Sequence, residues 1–199
     1  MFRPDIPVEH MEGEIIKISA RFKPITQKGV LGNTLAHELS RYSLLDLSLL
    51  SNRFIQNFKY ISSPYLEQIR PRLTEQFYGT QHQILQMARE KQFDNMKDPI
   101  TDLKTYITFW DMIPQGTFVL HNLPVPHGEG KEALAIFYGY LIAAFMMFVM
   151  DEPGHLVGTP LPGGYIVHKK DEEYICYLRD KEKDVFNSIC NYCPAVVEE

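Results

Sequence analysis

ALAIFYGYLIAAFMMFVM, residues 133–150, carries no charge in 18 positions. That length meets the threshold for a membrane-spanning helix. It equally suits a helix at the centre of a bundle, apolar all round because neighbours surround it. The second reading fits better. Gly139, Tyr138 and Tyr140 sit mid-span, and the flanks (Glu129, Lys131 and Glu132 before, Asp151 and Glu152 after) lack a clear basic anchor. A lone span here would also deprive the preceding helices of their one strongly apolar partner. The run therefore predicts a mostly α fold: a multi-helix bundle around a central apolar helix at 133–150.

Upstream of it, helical periodicity dominates. Residues 1–11, with Pro4 and Pro7, read as extended. Glu12–Phe22 reads as a short helix, and Pro24, Gly29 and Gly32 mark a loop. Asn33 is an N-cap candidate. From it Leu35, Leu39, Tyr42, Leu45, Leu49 and Ile55 recur at helical spacing, and Leu44, Leu47 and Leu50 widen the stripe. One long helix, buried on more than one side, is expected to run toward Ile61. Ser63-Pro64 supplies cap-then-proline chemistry. A second long segment spans Pro64–Phe93, where Pro71 should kink or break it. Asp98-Pro99 is a turn before a helix over Asp102–Ile113, which Pro114 ends. Thr117–Leu120 is a short β-type run, and 121–130 is a loop with polyproline character.

Downstream, Asp151-Glu152-Pro153-Gly154 stops the central helix. The tail 151–199 reads as a β-hairpin and Cys-rich segment packed on the bundle 1–150. Tyr165–Val167 and Tyr174–Leu178 form the strands, with the polar turn in Lys170–Glu173. Arg179–Asn187 is charged and suits a short turn or helix.

All three cysteines, Cys176, Cys190 and Cys193, lie in this tail. An odd, clustered set is a poor disulfide framework. Reduced thiols are one reading; metal ligands are the other. Cys190-Asn-Tyr-Cys193 on a tight turn points two thiolates at one ion, and Cys176 is a natural third. Zn²⁺ then wants a fourth tetrahedral donor. His155 and His168 are nearby. If the hairpin turn has two residues, Asp171-Glu172, Cys176 faces Val167 and His168 lies on the opposite sheet face. If it has three, His168 sits opposite Cys176. Both registers stay open here; the Pro/Gly loop holding His155 favours that histidine, giving Cys176, Cys190, Cys193 and His155 as the candidate set. Zinc suits three cysteines better than an iron–sulfur cluster, which normally takes four.

Other chemistry lacks support. There is no Gly-x-x-x-x-Gly-Lys-Ser/Thr loop, Gly-x-Gly-x-x-Gly or Gly-x-Ser-x-Gly. His37-Glu38 opens like a zinc-protease motif, but Arg41 stands where the second histidine belongs. Glu152-Pro-Gly-His155 is the one Glu-x-x-His, and Pro-Gly makes it a turn rather than half of a di-iron site. His37 and His82 read as surface or satisfied core histidines. Hydrophobic content of 45% and charged content of 23% are ordinary for a globular chain. With a net charge of −5 and no basic stripe, a nucleic-acid partner is disfavoured. The first residues lack a signal-peptide core, so a cytoplasmic protein is expected, with a protein partner or homo-oligomer and no membrane.

The run from His155 through Gly164, then Tyr174-Ile-Cys176, Lys181–Asp184 and Cys190–Pro194, resembles the end of a family of uncharacterised proteins from methanogenic archaea, of the domain of unknown function 2115 type. The match is recognisable mainly over this tail. The resemblance implies a shared Cys-rich tail and lineage, and no reaction. Three functions follow as expectations: a binding or regulatory helical module with a metal-pinned tail; a zinc enzyme with an open fourth position and Glu152 or His155 as acid/base; or an iron–sulfur or thiol redox protein.

Overall fold

The computed structural model describes residues 8–56, 65–120, 123–124 and 130–198. Six helices carry the body: α1 (Val8–Phe22), α2 (Lys28–Leu39), α3 (Leu44–Gln56), α4 (Tyr65–Arg89), α5 (Leu103–Gly116) and α6 (Gly130–Phe148). Two short antiparallel pairs complete the elements, β1 (Val119–Leu120) with β2 (Leu123–Pro124), and β3 (His168–Lys170) with β4 (Glu173–Ile175).

The apolar run is the core, as its composition predicts. α6 touches each of the other five helices. From Ala133 to Val149 every side chain is buried except Ile136, while Gly139 is also partly exposed. A fully buried Leu, Ile or Phe gains about 1.5–3 kcal/mol over an exposed one, so this helix concentrates much of the driving force. Among the described residues no helix is long and apolar enough to cross a membrane.

Around α6, aromatic rings set the contacts. Phe22 stacks on Trp110 with centroids 4.4 Å apart, joining α1 to α5. Tyr106 donates its hydroxyl to the Phe22 carbonyl at 2.7 Å. Tyr138 packs on Phe77 at 4.5 Å and donates to its carbonyl at 3.3 Å, joining α6 to α4. The Glu38 carboxylate, fully buried, is held by the Arg21 guanidinium and by Arg41 Nη1 at 3.0 Å. The Arg41 that breaks the zinc-protease motif thus neutralises the motif's own glutamate.

Several local expectations are corrected. Val8–Glu12 is already helical. Gly29 and Gly32 are not loop markers; they lie inside α2. A Cβ on Gly29 would sit 2.2 Å from the Phe93 carbonyl, and one on Gly32 2.4 Å from the Phe93 ring. These glycines let α2 approach the turn at Phe93–Asn95. Asn33 is consequently mid-helix, donating to Asp94 Oδ1 at 3.0 Å rather than capping. The long helix from Asn33 is two helices, broken over Ser40–Ser43. Ser43 caps α3: its hydroxyl accepts the Asp46 N–H at 3.2 Å, and Asp46 Oδ2 accepts the Ser43 N–H at 2.8 Å. The break rotates the leucine stripe, leaving Leu44 80% and Leu45 70% exposed while Leu47 and Leu50 are buried. α4 runs unbroken past Pro71, and α5 past Pro114 to Gly116. Pro71 lies in the second turn of α4 with its residue exposed. The Ser63-Pro64 cap and most of the 121–130 loop fall outside the described residues, though Leu123-Pro124 pairs as a strand.

Candidate functional site at the junction of body and tail

Main-chain geometry at the end of α6 starts the site. Asp151 adopts the left-handed conformation, φ 54°. Its carboxylate pairs with Lys28 and accepts the Thr101 hydroxyl at 3.0 Å. Gly154 follows under Ile189, where a Cβ would meet Ile189 Cδ1 at 2.9 Å. The absent side chain lets the Gly154 N–H reach Cys193 Sγ at 3.4 Å, while its carbonyl accepts Gln76 Nε2 at 2.6 Å.

A small ladder then assembles the tail. Val167 N–H donates to the Thr159 carbonyl at 2.9 Å, and Leu161 N–H to the Tyr165 carbonyl at 2.7 Å. Gly163 and Gly164, both at φ 83°, make the intervening turn. His168 pairs with Ile175, Lys169 with Tyr174 and Lys170 with Glu173. The regular strands therefore sit later than expected, at 168–170 and 173–175. The turn is the two-residue Asp171-Glu172, with Asp171 at φ 53°. Val196 adds on the other side of β4 as a parallel bridge: Cys176 N–H donates to its carbonyl at 2.9 Å, and its own N–H donates to Tyr174 at 2.8 Å. That pairing brings the Cys-x-x-Cys segment back beside Cys176.

The two-residue turn answers the register question. Val167, fully buried, and Cys176, 4% exposed, share the inner face. His168 is on the other face, its Nδ1 3.2 Å from its neighbour Ile166's carbonyl and its ring beside Tyr177. His155 instead lies in the wall of a cavity that Cys190 also lines.

Cys190 lies within a 3₁₀ turn, Ile189–Tyr192, and Cys193 follows it. Ser188 caps it by accepting the Cys190 N–H at 3.3 Å. All three thiols are free and buried. Burial pushes the Cys190 thiol up to about 12, opposed by its hydrogen bond with Ser188 and reinforced by negative charge on Cys193 or Cys176. Burial raises Cys193 too, opposed by the Ala195 and Gly154 N–H groups and by the Arg179 guanidinium. Desolvation pushes the His155 imidazole below its ordinary range, so it is neutral near pH 7. The thiols are thus electrostatic neighbours. Among the described residues, however, no three His, Cys, Asp or Glu side chains are grouped as a metal would need.

The thiols stand between two recesses. Cys190 lines a cavity of about 410 Å³ between α3, α4, α6 and the tail. Cys193 lines a more polar cleft of about 710 Å³, with Asp151, Arg179 and Asp180. Residues that sequence reasoning missed include Thr159 and Asn187, each in the cavity wall with a buried side-chain oxygen lacking a partner. Nothing in a Thr or Asn of a polar tail announces this. His37 and His82, both exposed, line a separate surface recess on α2 and α4.

Residues 27–198 match the family described as an uncharacterized protein conserved in archaea, DUF2115. The chain belongs to this family. The match takes in the helical body from α2 onward as well as the Cys-rich tail. A UPF0305 protein of Methanothermobacter thermautotrophicus is 40% identical over 55 residues, which is 28% of this chain and 36% of the relative. A UPF0305 protein of Methanopyrus kandleri is 37% identical over 62 residues, 31% of this chain and 44% of the relative. Each match thus spans less than half of the relative's length. No solved structure matches the chain.

Proposed function

We propose that this member of the family is a binding or regulatory module whose tail is pinned by one Zn²⁺, held by Cys176, Cys190 and Cys193 with His155 as the fourth donor. What supports the reading is three free, buried thiols in one tail: burial is the main cause of the raised Cys190 thiol, and negative charge on Cys193 or Cys176 adds to it. Buried thiols that repel one another as anions are poor neighbours without a cation, and a divalent ion reverses that repulsion. Burial raises the Cys193 thiol, and the Gly154 N–H and the Arg179 charge oppose that rise. The sulfurs are not grouped for a metal as they stand. Zn²⁺ binding would draw them together and release thiol protons, making metal affinity part of the tail's stability.

The test is metal analysis of protein purified without chelator, followed by Zn²⁺ titration of the stripped protein. One equivalent of zinc, with protection of the three thiols from alkylation and a higher melting temperature, is the expected result. No metal uptake, with all three thiols equally alkylated at any zinc level, overturns it. A coloured, iron-containing protein would replace zinc by an iron–sulfur cluster.

A further inference from the structure

The cavity beside His155 shares two residues with the zinc proposal, His155 and Cys190, but rests on its own walls. Its walls come from α4 (Leu73, Phe77), α6 (Ile136, Gly139, Ile142) and the tail (Ile189). Ile136 and Gly139 are also the two breaks in the buried run of α6. They lie three residues apart, on one face. A Cβ on Gly139 would lie 3.3 Å from the Phe54 ring of α3, so this face of the most apolar helix is shared between α3 and the cavity that both line. A volume of about 410 Å³ lies in the range of small-molecule sites.

The polar groups set the chemistry. Asn187 is held in place by two hydrogen bonds: Nδ2 donates to the Val119 carbonyl at 2.9 Å, and its main-chain carbonyl accepts the Tyr140 hydroxyl at 2.9 Å. Its Oδ1 is a buried acceptor without a donor. Thr159 Oγ1 is likewise unpartnered. Leaving such groups unpaired is costly; both oxygens are shut off from solvent as the side chains stand, so a ligand recovers that cost by drawing the two side chains round toward the cavity. Among the described lining residues there is no Lys or Arg, and Glu182 is the one carboxylate. A carboxylate ligand would therefore be desolvated without a cation.

We propose that this cavity binds an uncharged, mainly apolar small molecule whose polar end carries an O–H or N–H, donated to Asn187 Oδ1 and satisfying Thr159 Oγ1. Cys190 lines the same space and Cys193 the opposite recess, so occupancy changes the reactivity of one thiol and not the other.

The probe is N-phenyl-1-naphthylamine, a neutral aromatic amine, titrated into the full chain. Saturable fluorescence enhancement at one probe per chain is expected. Decanamide should displace it, and decanoate should need at least roughly ten-fold more, the equivalent of about 1.4 kcal/mol. Thr159→Val keeps the side-chain shape and should weaken decanamide roughly five-fold. Gly139→Leu should fill the cavity and abolish binding of both probe and decanamide. In zinc-free protein, decanamide should slow alkylation of Cys190 by N-ethylmaleimide and leave Cys193 alone. Absence of saturable binding by folded wild-type protein, equal displacement by decanoate, or undiminished binding in folded Gly139→Leu overturns the proposal. If Gly139→Leu fails to fold, Thr159→Val and the alkylation contrast still decide it: unchanged decanamide affinity, or equal protection of both thiols, sinks the idea.

Discussion

Cys190, lifted by burial to about 12, links its own ionisation to folding. In the unfolded chain a cysteine loses its proton near pH 8.5. Between that pH and about 12 the folded metal-free protein keeps a proton that the unfolded chain has released. Stability contributed by this group is thus fully present below pH 8.5 and falls as pH rises through the window, by up to about 1.4 kcal/mol per pH unit. Urea denaturation of zinc-free protein at pH 8 and pH 10 should show a smaller loss in Cys190→Ala than in wild type; equal losses would mean the thiol is not shielded as described. At this scale the sequence was readable where residue type carries chemistry. The Cys-x-x-Cys and the choice between His155 and His168 were framed by spacing alone. The choice itself turned on a one-residue register, and Lys170–Glu173 is polar throughout, so no hydrophobic pattern could fix the turn. Gly29 and Gly32 were misread for a different reason. Glycine looks the same in sequence whether it bends the chain or lets Phe93 come close.

Among the elements, α3 is the most instructive. Leucines continue at helical spacing straight across Ser40–Ser43, and periodicity alone joins α2 to α3. The signal against joining was present: Ser43 with Asp46 three residues later is a capping pair, and both halves form. Ser43→Ala should cost about 0.5–2 kcal/mol in chemical denaturation, with Ser43→Asn largely retaining the cap; a loss under about 0.3 kcal/mol would show that tertiary contacts alone start α3. The prolines failed as breakers because α4 is held by packing on α2, α3 and α6, and α5 chiefly by packing on α1, which outweighs one missing backbone bond. Val196 was invisible as a strand. A single bridging residue has no pattern, and its pairing with β4 exists only because the chain returns there.

For the whole molecule, the 18 uncharged residues of 133–150 were enough to find the centre. The order of helices around it and the cavity on its Ile136–Gly139 face were not in the pattern, because periodicity reports which residues are apolar and not which neighbour covers them. Ala144, fully buried in α6, gives a direct check. Ala144→Asp places a carboxylate among apolar helices, where an unpaired charge is too costly to keep. The variant should be recovered aggregated or unfolded, whereas Ala144→Ser should remain folded with modest loss; a folded Asp variant would mean α6 is not the common core. The position of α6 in the chain also matters to a ribosome. Helices α1 to α5 are synthesised before the surface they share exists. At roughly 5–20 residues per second, the stretch from Gly116 to Phe148 takes a few seconds to make. Through that interval five amphipathic helices carry exposed apolar faces, so the nascent chain is most prone to aggregation, and most in need of a chaperone, shortly before its centre arrives.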